Sequence, residues 1–188
     1  MCGGRSGRGS WVVEYSWPAL VSGLLESFRG SRSKWRPARR STKGSVMNLR
    51  LSVVAPDLVE RLAALPEAQL RNIATAVALW VVVESSLSGN RVDAALDALR
   101  QGALVGESTR SGIEQLVNEL DDSAWAAQES GDEGRYLLLF RRARAADALW
   151  SALDSDVVIA AADSVYEAQA ATGDLGVVRR IVEEAIRL

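Results

Sequence analysis

The chain has no histidine, a single cysteine at Cys2 and no lysine beyond Lys43. Each absence excludes chemistry. Serine and cysteine hydrolases with an imidazole base, His-containing zinc sites and di-iron bundles built on Glu-x-x-His all need residues that are missing here. One cysteine cannot close an internal disulfide. Catalysis, if there were any, would run on carboxylates, arginines or hydroxyls. The 188 residues allow one ordinary domain, and a core of about 140 residues buries roughly two thirds of its unfolded surface, so no metal or disulfide is required for folding.

What is present divides sharply at Met47. Residues 1–46 hold nine Lys or Arg against Glu14 and Glu26, a net charge of +7. Residues 47–188 hold thirteen Arg and 22 Asp or Glu, a net charge of -9. The leader also carries Trp11, Trp17, Trp35 and both lysines, and no helical or alternating pattern persists in it. Its apolar stretch from Trp11 to Phe28 is broken by Glu14, Pro18 and Glu26, which argues against a spanning helix and against a secretory signal. A cytoplasmic protein without membrane association is the expectation.

Two readings of residues 1–46 stand open, a disordered basic tail and a mis-assigned start. Lys43-Gly44 must be encoded by a purine-rich sequence resembling a ribosome-binding site, ahead of a start codon at Met47 or Val46. That arrangement points to a bacterial gene. As a translated tail, Arg29 to Lys43 with Trp35 among its cations has the chemistry for weak single-strand binding, since arginine grips phosphate and tryptophan stacks on a base. The acidic remainder would repel the same polymer, so nucleic acid is not the expected partner.

From Pro56 onward apolar residues return every three or four positions, and strand-like alternation is nearly absent. The pattern predicts an all-α bundle of six to seven helices. Pro56 opens the first, which ends near Leu65; Pro66 opens a second through about Leu87, whose centre from Val77 to Val83 is apolar all round and marks it as the hub. Asn90 with Asp93 resembles a cap for a third helix through Leu99, and Gly102 to Thr109 reads as a loop. Ser111 and Glu114 have capping-box spacing for a fourth helix to Ala127. After the polar stretch from Glu129 to Gly134, a fifth runs to about Asp154, a sixth from Val157 to Gly173 and a seventh from Leu175 onward.

Few constellations carry chemistry. Met1-Cys2-Gly3 resembles the start of N-terminal cysteine nucleophile enzymes, which are rich in strands and need partner motifs absent here. Asp163 and Glu167 lie at i and i+4 on one helix, with Asp147 on the preceding one. These three are the candidate metal ligands, because converging carboxylates can hold magnesium and position phosphates. The expected reading of the group is nevertheless a solvated acidic face that holds no metal. Arg141, Arg142 and Arg144 read as cations paired with acidic neighbours on a helix face. Trp80, Trp125 and Trp150 read first as packing residues, and Trp125, near Asp121 and Asp122, is the candidate partner-binding anchor. No catalytic set and no cofactor-binding motif is found.

The hydrophobic central helix, then Leu96-Asp97-Ala98-Leu99, Ile113-Glu114-Gln115-Leu116 and an alanine-rich pair around Ala143 to Ala168, together resemble a bacterial all-helical family typified by YjaG. The resemblance spans about residues 58–170 and implies a fold without an established activity. From the residues themselves, the leading expectation is a non-catalytic interaction protein, such as an immunity-type inhibitor, antitoxin or regulatory adaptor, that binds a basic protein through an acidic surface. The enzymatic alternative is a magnesium-dependent phosphohydrolase using Asp147, Asp163 and Glu167.

Overall fold

A computed structural model describes residues 50–101 and 106–187. All of them belong to one compact unit, Gly44–Leu188. The expectations placed on the leader, as tail, mis-assigned start or nucleic-acid binder, lie outside the described residues. Among the described residues there are eight helices and no strand: α1 Leu51–Val54, α2 Pro56–Ala63, α3 Glu67–Glu84, α4 Asn90–Gln101, α5 Glu107–Glu129, α6 Glu133–Ala152, α7 Val157–Thr172 and α8 Leu175–Arg187. The all-α bundle expected from periodicity is the observed fold. One more helix is present than the pattern from Pro56 onward provides, because α1 is a single turn ending where the ring of Pro56 takes over.

Turn chemistry sets several boundaries. At the end of α3 the chain reverses through Ser86 at φ 52°, with Leu87 N–H donating to the Val82 carbonyl at 3.0 Å and Ser86 N–H to that of Val83 at 3.0 Å. This is a Schellman closure built on serine, and it ends α3 at Glu84, earlier than the expected Leu87, which instead tucks its side chain into the core. The same pair of bonds closes α5 at Gly131, whose φ of 77° suits a residue without a Cβ. Asp132 follows at once and accepts from the Arg135 N–H at 3.0 Å, capping α6. The two longest helices therefore meet as a tight hairpin and pack along their lengths.

Two starts differ from expectation. Asn90 is the first residue inside α4, not its cap; the Asp93 N–H donates to the Gly89 carbonyl at 3.0 Å. Ser111 and Glu114 do not form a capping box either. α5 begins at Glu107 after an extended Gly106, so Ser111 sits in its second turn and residues 107–109 are helical rather than loop. The reason is tertiary: Arg110 in that extra turn pairs with Asp154 at 2.6 Å and lies 4.5 Å over the Trp150 ring, anchoring the start of α5 to the end of α6.

The core sits among α3, α6, α7 and α8. On α3, Ile73, Ala74, Val77, Ala78 and Val81 are fully buried, and the helix packs against α6, α7 and α8, as a hub helix should. Its apolar run emerges into solvent at Val83, 78% exposed. Against it lie two alanine-lined helices: Ala145, Ala146, Ala148 and Ala152 of α6 and Ala160, Ala161, Ala162 and Ala168 of α7 have no exposed surface. Small side chains shorten the distance at which two helix axes can pack. In that seam the buried Ser164 hydroxyl donates to the Ala148 carbonyl at 3.0 Å, satisfying a polar group that would otherwise be costly there. α7 starts on Asp156, which accepts from Val158 and Ile159 N–H groups, and stops at Gly173, φ 72°.

Candidate functional site

Helical spacing delivers four charged side chains to one place. Arg144 and Asp147 lie at i and i+3 on α6, Asp163 and Glu167 at i and i+4 on α7. Asp121 comes from α5, and Arg50 comes from the residue just before α1. The three candidate metal ligands named from sequence, Asp147, Asp163 and Glu167, do converge. What they converge on is two guanidinium groups.

Arg144 is the centre of the network. Its Nη2 donates to both carboxylate oxygens of Asp121 at 2.7 Å, and its Nη1 lies 3.3 Å from Asp147 Oδ2 and 3.2 Å from Glu167 Oε2. Arg50 approaches from the other side. Its Nη1 donates to Glu167 Oε1, its Nη2 is 3.6 Å from Asp163 Oδ2, and its guanidinium lies 4.8 Å over the Tyr166 ring. Glu167 has no exposed surface, and each of its oxygens serves a different arginine. The face expected to be a solvated acidic one is in fact the inside of an ion-pair network joining the start of α1 with α5, α6 and α7.

Charge accounting explains its electrostatics. Four carboxylates face two guanidiniums, a net -2 with every group ionised. Burial pushes the Glu167 carboxyl up to about 7, and the Asp147 charge adds to that, outweighing the opposing pull of Arg144 and Arg50. Asp163 is also raised, by burial first, with Arg50 opposing. For Arg144, burial works to lower the value, but Glu167, Asp121 and Asp147 more than offset it and hold the guanidinium above its ordinary range. The arginines remain cations at any working pH, so a proton taken up by the cluster goes to a carboxylate, Glu167 first.

Among the described residues no group of Asp, Glu, Cys or His is arranged to hold a metal ion. Arginine nitrogens lie against at least one oxygen of each of the three candidate carboxylates, an arrangement of charge-assisted guanidinium contacts. Within the basic run, Arg144 turns inward to acidic neighbours as expected, while Arg141 stays exposed. Arg50 and Tyr166 were not singled out by spacing. Arg50 precedes the helical pattern, and no local signal marks a partner 117 positions away.

The second candidate lies farther along α5. Trp125 is 49% exposed, whereas Trp80 and Trp150 pack against the core. Asp122 and Glu129, three residues before and four after Trp125, are exposed on the same helix. Asp121 is half-buried, and its carboxylate is held by Arg144. Of the three residues named as partner contacts, Trp125 and Asp122 therefore face solvent, and Asp121 belongs chiefly to the ion-pair network.

No protein-family model, curated protein or solved structure matches the chain. Among the described residues no helix is long and apolar enough to cross a membrane.

Proposed function

We propose that the domain is a non-catalytic interaction module that binds a basic protein, with Trp125 as its aromatic anchor. The observation that carries this reading is the half-exposed indole of Trp125 flanked on α5 by Asp122 and Glu129. Tryptophan is the residue most often responsible for binding energy at protein interfaces, and an acidic rim selects a cationic partner and speeds encounter. The net charge of -9 over residues 47–188 supports the same partner class. An immunity-type inhibitor or a regulatory adaptor fits this chemistry.

The test is capture of partners from the native host by the full chain and by W125A. A basic protein retained by the first, lost at least tenfold by the second and released by raised salt agrees with the reading. Equal retention by both, or binding indifferent to salt, removes it.

A magnesium-dependent phosphohydrolase is the second reading, and the convergence of Asp147, Asp163 and Glu167 is what favours it. The guanidiniums seated among those carboxylates weigh against it. Hydrolysis of nucleoside triphosphates with magnesium, abolished in D163N, would reverse the order of the two.

A further inference from the structure

The Arg50 guanidinium is held as a ligand is held. One nitrogen meets Glu167, a second meets Asp163, and the Tyr166 ring supports its plane at 4.8 Å, so two carboxylates and an aromatic platform all come from α7. Arg144 fixes the other oxygen of Glu167 from behind at 3.2 Å and leaves Oε1 for the incoming cation. Arg50 itself is not part of the helices that build this receptor. It precedes α1, and its side chain is 44% exposed while the carboxylate it touches is fully buried. The receptor thus lies one guanidinium deep beneath the surface.

We propose that Asp163, Tyr166 and Glu167 form a guanidinium-binding cleft that Arg50 fills in cis, and from which an arginine of a basic partner protein displaces it. The forked, planar guanidinium meets two carboxylates through separate nitrogens and a ring through its face, a geometry that a compact ammonium lacks. Removing Arg50 takes a positive charge from beside Asp163 and Glu167, so the vacated cleft attracts a replacement cation, with which a proton on Glu167 competes. Arg50, fixed just before α1, competes as a pre-oriented intramolecular group whose effective concentration stands well above the millimolar range of a flexible linker. A lone arginine in solution therefore displaces it poorly, and an arginine delivered by a partner already seated elsewhere displaces it well. The identity of the occupant rests on the interaction reading above; the cleft does not.

The decisive experiment is a titration of R50A with ethylguanidinium to about 30 mM, against tetramethylammonium at equal ionic strength. R50A should gain thermal stability saturably, by about 5 °C at ten times the dissociation constant, and the gain should vanish in R50A/E167Q. Wild type should show no such gain. Equal responses to the two cations, or a response that survives E167Q, would overturn the cleft. If R50A does not fold, the wild-type chain is titrated with hexa-arginine peptide while the Arg50 Nε–H resonance is followed by NMR. Movement of that resonance toward its solvent-exposed position supports displacement, and an unchanged resonance refutes it. A cleft that fails while a basic partner is still captured through Trp125 leaves the interaction reading standing; a cleft that responds with no basic partner captured does the reverse.

Discussion

Arg144 Nη2 holds both oxygens of Asp121 at 2.7 Å, so a single guanidinium nitrogen ties the middle of α5 to α6. The same side chain reaches α7 through Glu167, and two sides of the bundle depend on it. Lysine would keep the charge but not this multiplicity of donors. R144K should therefore lose roughly 2 kcal/mol of stability, from unmade charge-assisted bonds to partly buried carboxylates. Urea unfolding measures it, and an unchanged midpoint would mean that the network is not held by geometry.

The pH dependence of stability should carry the signature of Glu167. Its folded value of about 7 lies above the ordinary 4.5, so between those values the folded state binds more protons than the unfolded one. Stability from this group is complete below pH 4.5 and declines as pH rises through 7, by on the order of 3 kcal/mol. E167Q cannot titrate and should lack that slope. Urea midpoints of the two proteins from pH 5 to 8 should converge or cross as pH rises; a constant separation would show that Glu167 is ionised throughout.

The seam between α6 and α7 depends on small side chains. Ala161 has no exposed surface, and a leucine there must push the helices apart or adopt a strained rotamer. A161L should be destabilised by about 1 to 3 kcal/mol, read as a lowered thermal midpoint. A neutral result would reveal an unfilled space beside α7.

Capping of α7 is a local and separable contribution. Asp156 Oδ1 accepts from the N–H groups of Val158 at 3.1 Å and Ile159 at 3.3 Å. D156A should lose about 1 kcal/mol. Because the cap is about ten residues from Glu167, a double variant with E167Q should show additive losses, and coupling beyond about 0.5 kcal/mol would connect the two.

How much of this was legible in the linear chain follows from the range of the forces involved. Helix identity was written locally. The return of apolar residues every three or four positions, Pro56 and Pro66 at helix starts and Gly173 at a helix end are short-range steric and hydrogen-bonding facts, and they specify an all-α bundle with α3 as its hub. The i,i+4 spacing of Asp163 and Glu167 likewise placed two carboxylates on one face. What lies opposite that face was not written there. Only packing of α5, α6 and α7, with Arg50 arriving from the start of the domain, decided that the carboxylates meet arginines rather than water, and burial then raised the Glu167 carboxyl. The early start of α5 has the same origin, since Arg110 finds Asp154 and Trp150 only when the bundle closes. Periodicity reports which side of a helix is apolar; the partner of a charged side chain depends on contacts between residues distant in sequence, whose energies no local pattern records.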